Sequence, residues 1–419
     1  MEKITALPLS LTNEERKYLG LTPVEDDWDL VTFPGRRVYL YFDGDIIRKY
    51  IEIGVEGCYY VERELLERTE QGRTVLLPKT KRGKPRKMNF SAMQSFGRKG
   101  MYFEHDSSST YIGNYTTNTY FHRQNNGRKV PLHEWMARWM ADTTEADLEE
   151  LERFKTATRR HVKYREGDFF AFKIGRRHWG FGRIVLDIVA LRKTEWFNKR
   201  HNYGLRNLMC TPLYIMVYRK VSDTCVVPIE ELASCDTFPV QAIMDNDFYY
   251  GEYKIIGHKS VSPEEWEPII SYGRSISSFD LDTVYLQYGL IYKETTMDKY
   301  DKYITDGTEI TPPLVSKLLH IEMSEHEQFL MNSEHVNPFR DEGITGGIDV
   351  LPLLEHLVAT NRVNELEDGS LKYDGKGLRA PENLPIKREI FAYFGLDADK
   401  SYAENLKREM EKEGNGMAR

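Results

Sequence analysis

The chain has 419 residues, of which 40% are hydrophobic and 29% charged, and its formal net charge is −7. These values describe an ordinary globular protein of two or three domains and leave no room for a low-complexity or membrane-spanning class, since no apolar run approaches bilayer length. The first twenty residues hold no apolar core of signal-peptide length, and Cys58, Cys210, Cys225 and Cys235 show neither CxxC pairing nor metal-ligand spacing. A cytoplasmic protein with reduced thiols and no membrane contact is expected.

Residues 1–141 predict a mainly β domain of no recognised family. The opening LTNEERKYLGL suits a short helix. Strands are expected at Val38–Phe42, Ile46–Val55, Thr74–Pro78, Met101–Phe103, Tyr111–Tyr115 and Thr119–His122, with a closing helix near Leu132–Met140. The stretch Cys58–Arg68 fits either a strand or a helix. Nine Lys/Arg and no Asp/Glu fall between Arg73 and Lys99. The densest part, Lys81, Arg82, Gly83, Lys84, Pro85, Arg86 and Lys87, resembles an AT-hook, with Lys84 where the second core arginine of that motif belongs. Such a run neutralises phosphates, so nucleic acid is its alternative partner through Lys81, Arg82, Lys84, Arg86 and Lys87. A solvated hairpin tip and a protein contact are the other readings.

Residues 142–160 predict a helical connector, with Thr144 as N-cap and Asp147 near the capping-box position. The stretch YREGDFFAFKIGRRHWGFGRIVLD, residues 164–187, then gives two aromatic-rich runs joined by Gly175-Arg176-Arg177-His178, the pattern of a β-hairpin. Gly180 and Gly182 allow close backbone approach, and Trp179 and Phe181 are expected in the core. Leu213–Tyr218 is a further apolar strand, and Tyr253-Lys254-Ile255-Ile256-Gly257-His258 ends another.

In this order, GDFFAFKIG, WGFGRIV and YKIIGH resemble the bacterial immunity protein 26 family over about residues 162–293. The resemblance implies a small β-barrel-like domain, placed at 161–295, and a protein that protects a bacterium from the polymorphic toxin of its own lineage. It implies a cognate toxin as partner, blocking without catalysis, and no cofactor. It supplies no contact residues. Chemistry alone suggests the aromatic and acidic run Asp245, Asp247, Phe248, Tyr249, Tyr250, Glu252 and Tyr253, because blocking interfaces combine an aromatic anchor with a charged rim. Between Lys155 and Arg206 there are fourteen basic against four acidic residues, and between Asp223 and Glu309 seventeen acidic against six basic. Either the two halves cancel across neighbouring strands or they form a two-faced surface.

Residues 296–313 read as a linker, and 314–405 as a helical appendage carrying Leu314, Leu318, Ile321, Leu351, Leu354, Leu357, Val358 and Ile386–Tyr393. The charged tail from Leu406 is expected to fray. His320, Glu322, Glu325, His326 and His335 lack the spacing of a zinc helix, and the pairs Asp245/Asp247 and Asp280/Asp282 alternate at strand spacing. No nucleophile elbow, Walker loop or dinucleotide fingerprint is present. The whole predicts an α+β chain: a mainly β N-terminal domain, a central β-barrel-like immunity domain and a helical C-terminal segment. It acts as a toxin-neutralising immunity protein, or alternatively as a nucleic-acid-binding or regulatory protein using segment 73–99.

Overall fold

A computed structural model describes residues 1–106, 108–125, 130–274, 282–304, 347–366 and 377–416. The expected sites at Asp280, Leu314, Leu318, Ile321, His320, Glu322, Glu325, His326 and His335 lie outside the described residues. The chain forms two compact units, one of Met1–His161 with Tyr250–Glu252, the other of Val162–Tyr249 with Tyr253–Arg419.

The first unit is built on a ten-stranded antiparallel sheet of β1 (Glu2–Lys3), β2 (Asp29–Thr32), β3 (Val38–Asp43), β4 (Ile46–Ile53), β5 (Tyr60–Glu70), β6 (Val75–Leu76), β7 (Arg86–Lys87), β8 (Met101–His105), β9 (Ser109–Asn114) and β10 (Thr119–Asn125). The ambiguous stretch after Cys58 is strand, because β5 pairs with both β4 and β8. Helices α1 (Asn13–Tyr18), α2 (Leu132–Ala141) and α3 (Glu145–Thr156) bring Leu19, Trp135, Met136, Trp139 and Leu151 to a core shared with Ile51, Tyr60, Phe103 and Ile112. Thr144 caps α3 in a capping box with Asp147, and Leu151 buries the helix in this unit's core.

A charged group sits inside this core. Glu62 takes hydrogen bonds from Arg16 at 2.9 and 3.2 Å, from Lys49 at 2.8 Å and from the Tyr60 hydroxyl at 2.6 Å, and all four side chains are buried. Burial alone pushes the Glu62 carboxyl up, but Lys49 and Arg16 outweigh it and hold its pKa at about 2. An unfolded glutamate titrates near ~4.3, so this contribution to stability is complete above that pH and is lost as pH falls toward 2.

The second unit holds an open five-stranded antiparallel sheet, in the order β14 (Gln241–Met244), β13 (Pro212–Ser222), β12 (His178–Asp187), β11 (Asp168–Ile174), β15 (Lys254–His258). Among the described residues no pairing joins edge β14 to edge β15, so the sheet is open where a barrel was expected. The segment ending in YKIIGH is an edge strand against β11. Both faces are covered. Phe170, Phe172, Ile184, Ile215 and Val217 point into one core, and Phe169, Ala171, Trp179, Phe181 and Tyr218 into another.

The β11–β12 register explains the glycines. Phe170, Ala171 and Phe172 face Gly182, Phe181 and Gly180 in turn, so each large residue meets a small one. A Cβ on Gly180 would lie 2.4 Å from the Phe172 ring, and one on Gly182 would lie 2.4 Å from the Phe170 ring. Glycine there makes room for a ring, while Phe181 fills the opposite face over Ala171.

The C-terminal segment is core rather than appendage. From α5 (Leu351–Ala359), which follows α4 (Asn246–Tyr249) in the numbering used here, Leu353, Leu354 and Leu357 are fully buried against Phe170 and Phe172, with Ile348, Val350 and Leu366 beside them. A third sheet, β16 (Ile270–Arg274), β17 (Thr283–Tyr288) and β18 (Ile291–Thr296), is covered by α6 (Leu384–Tyr393) and α7 (Tyr402–Gly416). The tail expected to fray is helical to Gly416, because Tyr402 packs on Tyr288 and its hydroxyl accepts from the Leu290 amide at 2.8 Å.

Three outcomes test this architecture. Glu62→Gln leaves Lys49 and Arg16 buried with their shared counter-charge gone, so it costs about 3–5 kcal/mol. It also flattens the loss of stability between about pH 4 and 2 that urea titrations of the parent chain will show. Trp179→Ala, at a position only 7% exposed, lowers the unfolding free energy by about 3–5 kcal/mol in denaturant titration. A chain ended at Thr296 uncovers Phe170 and Phe172, and it will bind a hydrophobic dye that the full chain does not.

Candidate functional site

The recurring motif residues converge at one end of the five-stranded sheet. Asp168, first residue of β11, pairs in register with His258, last residue of β15, and its carboxylate meets His258 Nδ1 at 2.8 Å. Asp168 also accepts the Arg165 amide at 2.9 Å. Gly167 has φ +89°, and a Cβ there would lie 2.4 Å from the Lys259 carbonyl oxygen, so the Gly-Asp entry is required for the chain to pass under the 258–260 turn. Arg183, the last residue of GFGR, donates to the Lys259 carbonyl at 2.6 Å and the Ser260 carbonyl at 3.0 Å, pairs with Glu265, and lies 4.9 Å from the Phe169 ring centre.

Asp168 and Arg183 are buried, Glu265 is half-buried and His258 is exposed in this clamp. Burial raises the Glu166 carboxyl beside it, and the neighbouring carboxylates of Asp187 and Glu265 add to the rise. Asp168 and His258 have the look of an acid–base pair, yet among the described residues no Ser, Thr or Cys side chain bonds the His258 ring. The arrangement fastens two strand ends to the 258–260 segment. The long-range part, Arg183 to Glu265 across 82 positions, was not visible in the sequence. Its local half carries a signal that the sequence reading above does not use: Ser262-Pro-Glu-Glu265 is a capping-box signature, and Glu265 accepts the Ser262 amide at 2.7 Å.

The expected contact run divides. Asp245 precedes helix α4, so Asp245 and Asp247 are not alternate residues of a strand. Asp245 is buried, accepting from the hydroxyls of Tyr164 and Thr211, and its backbone carbonyl starts α4 through the Tyr249 amide at 2.8 Å. Phe248 is fully buried, edge-on to Phe170 at 4.8 Å, and Tyr253 stacks on Phe170 at 5.6 Å. These three hold the loop to the core, so they do not project as an aromatic anchor. Tyr250 and Glu252 belong to the first unit. Glu252 accepts the Tyr120 amide at 3.0 Å and pairs with Arg123 at 3.1 Å, and the Arg159 guanidinium lies 5.7 Å from the Tyr250 ring centre. Tyr249 stands 38% exposed, with Asp247 half-buried on the same short helix.

The basic run forms the tip of the β6–β7 hairpin. Lys81, Arg82, Lys84 and Lys87 are exposed, while Arg86 donates to the Pro78 carbonyl at 3.3 Å and to the Ser95 hydroxyl. The Thr80 amide bonds the Lys84 carbonyl at 3.0 Å and the Gly83 amide bonds the Thr80 carbonyl at 2.7 Å, so the run is a closed turn on a short ladder. The charge halves of the second unit are joined by the Arg183–Glu265 ion pair, and the His178 and His201 rings meet Asp223 at 2.8 Å and Glu294 at 3.0 Å across the same divide. Among the described residues no cluster of His, Cys, Asp and Glu is placed to hold a metal ion, and no helix is long and apolar enough to cross a membrane.

No curated protein and no solved structure matches the chain. Residues 165–280, from just before the Gly-Asp entry to just beyond β16, match the model of the family described as Immunity protein 26, so the middle of this chain is similar to that family.

Proposed function

We propose that this chain is an immunity protein that binds one cognate bacterial toxin and blocks it without covalent chemistry. The observation that carries the reading is the family match over residues 165–280, which falls on a sheet where every quoted motif has a packing or clamping partner. Blocking asks for a rigid, pre-organised surface, and a sheet buried on both faces with clamped strand ends supplies one. It requires no acid–base pair with a nucleophile, in keeping with the structural use of Asp168 and His258.

We place the contact on the α4 side of the domain. Tyr249 is the exposed aromatic of the run, and Asp247 flanks it on a helix whose position is held by Phe248 and Asp245 underneath. Asp245, Phe248 and Tyr253 support this surface from below, so substituting them costs stability before it costs affinity. The basic hairpin Lys81–Lys87 lies in the other unit and takes no part in this contact.

The test pairs the full chain with the protein encoded by the neighbouring reading frame, expressed together in a bacterial host. The chain should restore growth and form a stable one-to-one complex. Tyr249→Ala should weaken that complex by about 2 kcal/mol, roughly 30-fold, with an unchanged melting temperature. Absence of both protection and complex formation would overturn the immunity reading. Protection that survives Tyr249→Ala and Asp247→Asn together at full affinity would move the contact elsewhere on the domain.

A further inference from the structure

The first unit carries a pocket that the toxin-blocking role does not use. On β4, β5 and β8, Tyr50, Arg63 and Tyr102 are successive cross-strand neighbours. Tyr102 continues over Gly113 of β9, where a Cβ would lie 2.5 Å from its phenol carbon and oxygen, and stacks on Tyr115 at 4.1 Å. The Arg63 guanidinium lies between two rings, 5.5 Å from the centre of Tyr50 and 6.0 Å from that of Tyr115. Arg98 approaches Tyr115 too, at 5.9 Å. Phe90, Met93 and Phe96 close the space into a cavity of about 80 Å³.

Arg63 is half-buried within the pocket, and Arg98 stands exposed at its rim. Arg63 Nε is buried without a hydrogen-bond partner, and among the described residues neither guanidinium donates a hydrogen bond or joins an ion pair. The nearby carboxylates are engaged otherwise. Glu64 accepts the Thr22 amide and Glu67 the Gly97 amide, each at 2.6 Å, while Glu52 accepts the hydroxyls of Tyr50 at 2.7 Å and Tyr59 at 2.6 Å. A buried, charged N–H left unpaired is costly, whereas the guanidinium fork matches two oxygens of one anion. Aromatic walls exclude water and strengthen such a contact.

We propose that this pocket binds an oxyanion, a phosphate monoester or a carboxylate on a small molecule. The anionic group sits against Arg63 and Arg98, and its carrier lies along Phe90 and Phe96. The cavity has room for one such anionic group, and its carrier extends along Phe90 and Phe96.

Calorimetric titration of the full chain at constant ionic strength, with chloride as the balancing anion, tests the proposal. The probes are inorganic phosphate, phenyl phosphate and acetate. Saturable one-to-one uptake of phosphate or of acetate is expected, and which of them binds identifies the source of the oxyanion. If phosphate binds, phenyl phosphate should bind about tenfold more tightly through its ring. Arg63→Met should abolish uptake. Arg98→Gln, at the exposed rim, should weaken it about tenfold with no change in melting temperature, and it decides the matter should Arg63→Met fail to fold. Lys81→Gln with Lys84→Gln, at the hairpin tip, should leave uptake unchanged. No saturable uptake of any probe up to ~10 mM would overturn the proposal. So would uptake insensitive to Arg98→Gln, or uptake lost with the hairpin lysines.

Discussion

Phe170, Ala171 and Phe172 on one strand lie opposite Gly182, Phe181 and Gly180 on the next, and the second unit depends on that reciprocity. Two aromatic rings on the same face of one strand would collide with ordinary side chains on the next strand of the ladder. Replacing those side chains with hydrogen lets the rings lie down over the partner backbone, while Phe181 uses the gap left by Ala171. The strands can then be nearly continuous in apolar residues and serve two cores at once, one toward α5 and one toward Trp179 and Tyr218. The sheet stays open at its edges and takes its cover from other parts of the chain.

The rest of the unit follows from what this packing leaves exposed. Phe170 and Phe172 form a broad apolar face that the residues around β11 and β12 do not cover. Phe248 and Tyr253 cover part of it, and Leu353, Leu354 and Leu357 the remainder. The loop after β14 is therefore a structural lid with Tyr249 on its outside, so the proposed toxin contact is a by-product of closing the core. The opposite end is fastened by Asp168 with His258 and by Arg183 with the 258–260 turn, which keeps edge strand β15 from detaching. The residues that carry the resemblance are thus mostly packing and clamping residues.

Local signals were legible in the sequence and long-range ones were not. Thr144 with Asp147 marks the start of α3, and most strands of the first unit fall within a few residues of their expected places, because caps and apolar runs act over a few positions. Cys58–Arg68 stayed ambiguous since its strand character comes from two partners elsewhere in the chain. Leu351–Val358 showed helical spacing, but periodicity says only that one face is apolar, not that this face closes a core begun at Phe170. The aromatic and acidic run at 245–253 was read as surface from composition, yet Phe248 and Tyr253 are core: composition cannot tell a ring that anchors a partner from one that anchors its own loop. The pocket at Arg63 has no local sequence signal, because its walls come from Tyr50, Phe90, Phe96 and Tyr115, which no short pattern unites.

The most direct test is a double-mutant cycle on Gly180 and Phe172, a pair chosen because all the nearest atoms a Gly180 Cβ would meet belong to the Phe172 ring. Gly180→Ala alone should destabilise the chain by about 1–3 kcal/mol through overpacking. In a Phe172→Ala background the same change should be neutral or stabilising, giving a coupling energy of about 1 kcal/mol or more in equilibrium unfolding. Equal costs in both backgrounds would mean that the glycine serves the backbone rather than the ring, and would contradict the reciprocal packing on which the account rests.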